Sequence, residues 1–314
     1  MSRQVLITGG AGFIGSNLIQ FLNNQSPDWK IQVLDDLSTG LRSNLEGLRC
    51  NLVVGSILDR EVLSNSVQGA DNIIHLAAIG SVPRSILFPR PTHEANITGT
   101  LNVMEAAREH STPHVIVASS SSVYGSNPNV PRSEFDWTRP LSPYAVSKLA
   151  SEAYAGAYST AYEIKTLAFR FFNVYGPRQR PDHPYAAVIP KFISAAMSDT
   201  PLIVQGDGGQ YRDFTFVDSV SEAIHRAVSA NMRCEYPINL AFGSRTTLLQ
   251  VIEKIEGILG KKVAVESVEP RAGDIRKSQA DASLLRKNFP DLSSIGIDEG
   301  LARTIDWFRN AKKN

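Results

Sequence analysis

Thr8-Gly9-Gly10-Ala11-Gly12-Phe13-Ile14-Gly15 is the stretch on which the reading of this chain turns. A short apolar run, Gln4 to Thr8, precedes it, and Ser16 to Asn23 reads as a helix. Gly9, Gly12 and Gly15 form Gly-x-x-Gly-x-x-Gly between strand and helix, a variant of the dinucleotide fingerprint. Glycines there allow a tight turn and let backbone approach a pyrophosphate, whose charge meets the helix N-terminus. A second strand, Ile31 to Leu34, ends at Asp35, twenty residues after Gly15. A carboxylate at that distance binds ribose hydroxyls and repels a 2′-phosphate, with Asp36 adding to the repulsion, so NAD is preferred over NADP.

Further apolar runs lie at Leu52–Val54, Asn72–Leu76, Val115–Val117 and Thr166–Phe169, with helical segments between them, notably Asn96 to His110. Strand and helix alternating in this way imply an α/β fold: a Rossmann-type, doubly wound parallel sheet. The alternation loosens after the irregular stretch Gly176 to Pro184. The expected division is a dinucleotide-binding domain over residues 1–175, to which part of 213–243 returns, and a smaller C-terminal α/β substrate domain over 176–314.

Leu141 to Lys148 places Tyr144 and Lys148 four residues apart, behind Pro143 at the expected start of a helix. Residues so spaced share one helix face. A cation beside a phenol favours phenolate and lowers the tyrosine pKa toward working pH. Ala118 to Tyr124, rich in serine, follows an apolar strand, so its hydroxyls emerge where open α/β sheets bind ligands.

Composition narrows the alternatives. The chain has 314 residues and a net charge of +1, which gives no electrostatic footprint for nucleic acid. No apolar run reaches the roughly 18 residues of a membrane span, and no signal peptide is visible, so a cytoplasmic protein is expected. Cys50 and Cys234 are far apart and the six His are scattered, so no disulfide framework and no metal site is expected.

Taken in order, the motifs resemble the extended short-chain dehydrogenase/reductase superfamily, specifically its NAD-dependent nucleotide-sugar epimerases and dehydratases. The marks are Thr8 to Gly15, Asp35 to Gly40, His75 to Ala78, Ser119 to Gly125, Tyr144-x-x-x-Lys148, Arg170 to Pro177, Gly206 to Gly208 with Arg212-Asp213, and Arg271 to Asp274. The resemblance implies a catalytic trio of Ser120, Tyr144 and Lys148. It implies cofactor contacts from the glycine turn with Phe13 and Ile14, and from Asp35, Leu37, Ser38, Thr39 and Gly40. Further contacts are implied from Ser56 and Ile57, from Leu76, Ala77 and Ala78, and from Asn96, Ser119, Phe171 and Val174, beside Tyr144 and Lys148. His75 is expected to be structural. Ser56 stands where the family usually has an Asp that bonds adenine, and Phe171 stands where a Tyr is common.

The family's 4,6-dehydratases carry an Asp-Glu pair after the catalytic Ser or Thr. Here Ser121 and Ser122 occupy those positions, which disfavours dehydration and leaves 4-epimerisation through a transient 4-keto sugar. The resemblance places a UDP-sugar against Gly80, Ser81, Arg84, Ser120, Ser121, Ser122 and Tyr144. It adds Asn173, Gln179, Ala187, Val188 and Lys191, with Arg212 and Arg271 on the phosphates, Asp274 on a ribose hydroxyl, and Ser278. Gly80 to Ser85 is similar to the matching stretch of bacterial UDP-N-acetylglucosamine 4-epimerases. Ala187 and Ser278 are small, and Ser278 stands where epimerases restricted to UDP-glucose carry a large aromatic. UDP-GlcNAc and UDP-GalNAc are therefore expected, with possible UDP-Glc and UDP-Gal activity, as in polysaccharide biosynthesis. The alternatives are a UDP-glucuronate 4-epimerase, a nucleotide-keto-sugar reductase, and a non-catalytic dinucleotide-binding regulator. The helices Asn96–His110 and Tyr144–Tyr162 correspond to the pair that builds a four-helix homodimer interface in the family, and Ala153, Ala157 and Ala161 suit close helix packing.

Overall fold

The computed structural model describes residues 2–269 and 276–311. The chain begins β1 (Gln4–Thr8), α1 (Phe13–Gln25), β2 (Lys30–Asp35), β3 (Asn51–Val54), α2 (Arg60–Val67) and β4 (Asn72–His75). Two short helices, α3 (Val82–Leu87) and α4 (Pro89–His93), lead through a π-helical turn at Glu94–Thr98 into α5 (Gly99–Glu109). Then come β5 (His114–Ser120), a 3-10 turn at Ser121–Tyr124, α6 (Pro143–Ala161) and β6 (Lys165–Phe171).

These six strands pair in parallel in the order β6-β5-β4-β1-β2-β3. Strand order reverses between β1 and β4, so a crevice opens beyond their carboxyl ends, where the glycine turn lies. The strands read as unbroken apolar runs because both sheet faces are covered. Successive side chains alternate: Val5 and Ile7 join Leu18, Ile19 and Leu22 of α1, while Leu6 joins Val103, Met104 and Ala155 on the opposite face.

The second half continues through β7 (Val174–Tyr175), α7 (Val188–Met197), β8 (Leu202–Gln205), β9 (Tyr211–Arg212) and β10 (Thr215–Phe216). Next are α8 (Val217–Ser229), β11 (Ile238–Leu240), β12 (Thr246–Thr247), α9 (Leu248–Leu259) and β13 (Val265–Val268), then α10 (Ser283–Asn288) and α11 (Ile297–Ala311). Strand β11 pairs in parallel with β6 as the seventh strand of the main sheet, and α8 buries Val220, Ile224 and Val228 in the core that α1 shares. A separate core gathers Ile189 and Phe192 of α7, Leu202 and Val204 of β8, and the apolar faces of α9 and α11. Two-stranded pairings, β8 with β13 and β9 with β12, complete that lobe.

The sequence reads one helix over Asn96–His110, but the structure has a π-turn followed by α5. The cause is local. The buried Asn96 amide accepts from the Ile79 N–H at 2.8 Å and donates to the Ile79 carbonyl, and the Thr100 hydroxyl donates to the Asn96 carbonyl. Side chains inserted in this way widen the turn, as π-turns beside functional sites often do.

Candidate active site

The glycine turn is set by contact distances. Gly9 has φ +74°, and a Cβ there would lie 2.6 Å from the Ala77 nitrogen. A Cβ on Gly15 would lie 2.5 Å from the Gly9 carbonyl oxygen. Helix α1 starts at Phe13 behind Gly12, with no side chain capping its first N–H groups. Uncapped N–H groups at a helix N-terminus suit an anion. At the end of β2 the Asp35 carboxylate accepts from the N–H groups of Ala11 and Leu37, both at 2.9 Å. Burial pushes its carboxyl above the usual range, those two bonds pull it back, and Asp36 pushes it up further.

A cavity of about 350 Å³ runs from this turn past Asp35 and Ser56 to Tyr144 and Lys148. Its chemistry fits a dinucleotide: the uncapped start of α1 on its wall suits a pyrophosphate, and the Asp35 carboxylate suits ribose hydroxyls. Most of the cofactor residues expected from the sequence are on its wall, among them Phe13, Thr39, Ser56, Ala78, Ser119 and Phe171. Leu37, Gly40, Asn96 and Val174 are not. Leu37 and Gly40 shape the loop behind Asp35: Leu37 has φ +58° and donates to that carboxylate, and a Cβ on Gly40 would meet Ala11. Asn96 is committed to Ile79 and Ser147, and Val174 pairs with Thr215. The wall also includes Gly55, Leu58, Ile79, Ala95 and Ala118. Each of these flanks a recognised residue, and adjacency was the only signal that could have found them.

At the far end Ser142 caps α6, its hydroxyl accepting from the Ala145 N–H at 3.2 Å, and Pro143 opens the helix. Tyr144 and Lys148 follow on one face. The Ser120 hydroxyl caps the 3-10 turn by accepting from the Ser122 N–H at 3.2 Å. Burial raises the Tyr144 phenol, and its hydrogen bond with Ser120 lowers it. The sequence expectation that Lys148 draws this phenol downward is therefore corrected, because burial outweighs every other influence on it. Lys148 is itself pushed down to about 8 by burial, with Glu152 opposing, and its ammonium donates to the Ala118 carbonyl at 2.9 Å.

The neighbouring hydroxyls divide by partner. Ser119 donates to the Glu152 carboxylate. Ser122 Oγ is buried with no hydrogen-bond partner among the described residues. His75 lies between Thr8 Oγ1 at 2.8 Å and Thr100 Oγ1 at 3.0 Å, and burial pushes it down to about 3. A neutral imidazole so placed ties β1 and β4 to α5.

The residues expected at the sugar and nucleotide flank this cavity less directly. Gly80 is on its wall. Ser81, with φ +95°, caps α3 by accepting from the Arg84 N–H. Asn173, with φ +37°, donates to the Asp213 carbonyl beside Arg212. The Ser278 N–H donates to the Tyr211 carbonyl, which brings Ser278 to the strand that carries Arg212. The Gln179 amide donates to Val174 while its Oε1 is buried without a partner among the described residues. Ala187 and Val188 begin α7, and the Lys191 ammonium donates to the Pro184 carbonyl. Arg271 and Asp274 lie outside the described residues.

The model of the NAD dependent epimerase/dehydratase family matches residues 5–241. A UDP-glucose 4-epimerase of Mycolicibacterium smegmatis is 34% identical over 316 residues, spanning 98% of this chain and 99% of its own. Among solved structures, a UDP-N-acetylglucosamine 4-epimerase from Methanobrevibacter ruminantium, in complex with UDP-N-acetylmuramic acid, superposes with a TM-score of 0.93 at 35% identity, covering 99% of both chains. A UDP-glucose 4-epimerase of Thermus thermophilus in complex with NAD superposes with a TM-score of 0.88 at 33% identity, covering 98% of this chain and 99% of that one.

Proposed function

This chain belongs to the NAD-dependent epimerase/dehydratase family, and from that premise we propose that it catalyses 4-epimerisation of a UDP-hexose. The observation that carries the reading is local. The residues after Ser120 are Ser121 and Ser122, so the serine turn offers hydroxyls and no carboxylate pair for eliminating water. One phenol, Tyr144, stands on the cavity wall beside them.

In this reading Tyr144, as a phenolate that burial disfavours and the Lys148 charge favours, takes the proton of the sugar 4-hydroxyl and later returns it. Ser120 orients that hydroxyl and shares its proton. Lys148 provides positive charge one helical turn from the phenol and binds the nicotinamide ribose. NAD, when bound, accepts and returns hydride at C4 of the sugar. The 4-keto sugar turns over in the pocket between the two transfers. Residues 1–175, with part of 213–243, form the cofactor domain, and the remainder of 176–314 holds the nucleotide.

UDP-GlcNAc and UDP-GalNAc are the leading pair, with UDP-Glc and UDP-Gal as further substrates. The small residues Ala187 and Ser278 support this choice, because turnover of an acetamido sugar needs room. The mechanism is tested by running the reaction in D2O. Hydride held within the site predicts product with no deuterium at C4. Deuterium at C4 would reject the transient-ketone route.

A further inference from the structure

Lys148 is flanked on its own helix by Tyr144 four residues before it and by Glu152 four residues after it. Glu152 is almost enclosed, its side chain 8% exposed, and Arg170 opposite it on β6 is 4% exposed. Two parallel bonds join them: Arg170 Nε to Oε1 and Nη2 to Oε2, each 2.9 Å. The same carboxylate accepts the Ser119 hydroxyl. Arg170 also lies over the Tyr124 ring, 4.7 Å from its centroid, and the Tyr124 hydroxyl donates to Asn239 on β11. One carboxylate thus touches the strand end that carries Ser119 and Ser120, sits on the helix that carries Tyr144 and Lys148, and is anchored through Arg170 to the sheet.

We propose that Glu152, held by the bidentate grip of Arg170, is a positioning residue for Lys148 and for the serine end of β5. The inference deepens the epimerase reading above and rests on its placement of Lys148 in the site. A buried ammonium needs a counter-charge, and Glu152 supplies it from one turn away. An unrestrained carboxylate would draw the lysine toward itself and off the Ala118 carbonyl. Arg170 prevents this by fixing both carboxylate oxygens in a fork geometry that suits guanidinium. Ser119 completes the lock, which leaves Ser120 as the hydroxyl next to the phenol.

The groups facing Lys148 are few. Tyr144 and Glu152 lie on its own helix, and β4 contributes His75, which is neutral at working pH. Strand β6 contributes Arg170, with Tyr124 stacked beneath it, and β5 contributes a carbonyl and the Ser119 hydroxyl. The elements packed on other sides of α6 carry Arg84, Arg90, His93, Glu94, Glu105, Arg108 and Glu109, while the lysine's own shift traces to burial and Glu152.

The test reads Lys148 directly. Protein carrying ¹³C-labelled lysine is titrated by NMR as purified, with the Lys148 signal assigned by its loss in Lys148→Met. In Glu152→Gln the midpoint should fall by about one unit, since the opposing charge is gone. In Arg170→Gln it should move the other way, because the freed carboxylate acts on the lysine alone. The alkaline limb of turnover should follow each midpoint. Should Glu152→Gln fail to fold, Glu152→Gln/Arg170→Gln leaves a neutral amide pair and should show a midpoint below that of Arg170→Gln, from which it differs only by the carboxylate. An unchanged midpoint in Glu152→Gln overturns the proposal, as does a double variant whose midpoint is no lower than that of Arg170→Gln, or a downward shift in Arg170→Gln. Variants that shift as expected, in a protein whose wild type converts no UDP-sugar, would discard the epimerase reading and leave the positioning role standing.

Discussion

The Lys148 ammonium donates to the carbonyl oxygen of Ala118 at 2.9 Å, at the point where β5 runs out into Ser119 and Ser120. This bond joins the helix that carries the phenol to the strand that carries the hydroxyls, so the three groups of the proposed catalytic trio share one frame. Replacing Tyr144 with Phe should leave that frame intact. Turnover should fall by about 10³-fold, within the range of a lost general acid–base group. NAD released on acid denaturation should match wild type. Near-normal turnover in this variant would remove Tyr144 from its role.

Gly15→Ala tests the cradle. The added methyl meets the Gly9 carbonyl at 2.5 Å and the Gly10 backbone at 2.6 Å, and backbone must move to admit it. Overpacking of this kind costs about 1–3 kcal/mol. The expected result is a lowered melting temperature together with loss of co-purifying NAD. A variant that retains wild-type NAD content would contradict the placement of the pyrophosphate.

Ser278→Tyr tests the sugar pocket. Tyrosine at this position, beside the strand that carries Arg212, should suppress turnover of UDP-GlcNAc more than that of UDP-glucose. Parallel assays on both sugars check this. Equal loss on the two would count against volume as the determinant of specificity.

Acid sensitivity should come from buried histidines. His75 is pushed down to about 3 and His114 to about 4, both by burial, from an ordinary value of 6.5. Between those values and 6.5 the unfolded chain binds more protons than the folded one, so stability falls as pH falls. From pH 6.5 to 5 each imidazole should contribute a loss of about 1.6 kcal/mol. Denaturant unfolding at the two pH values measures it, and His75→Gln should show a smaller loss. Buried carboxyls such as Asp213, raised by burial, act with the opposite sign.

A homodimer built through α5 and α6 is expected, with Ala153, Ala157 and Ala161 at the closely packed seam. Light scattering coupled to size exclusion should give twice the chain mass of 34.3 kDa. A monomer at all concentrations would refute it.

The features legible in the sequence were those written in short-range spacing. The glycine turn declares itself because strand, three glycines and helix are contiguous, and Asp35 because strand β2 has a nearly fixed length. Pro143 marks the start of α6 for the same reason. Features that depend on distant residues meeting in space were not legible. Glu152 and Arg170 lie 18 residues apart on different elements, and nothing local joins them. The π-turn at Glu94–Thr98 depends on Asn96 reaching Ile79, which a helical periodicity cannot anticipate. The phenol of Tyr144 was misjudged for a related reason: spacing shows that a lysine is near, but only packing shows that burial dominates. Leu37 and Gly40 belong to the expected cofactor motif, and in the structure they shape the loop behind Asp35 and are not on the cavity wall.

The measurement that bears most directly on the proposed activity is proton NMR of the purified protein mixed with UDP-N-acetylglucosamine in one tube and UDP-glucose in another, with no cofactor added. Appearance of the galacto epimer, faster in the first tube, is the predicted result and requires NAD carried by the protein itself. Absence of conversion in both tubes, with and without added NAD, would contradict 4-epimerisation of these UDP-hexoses.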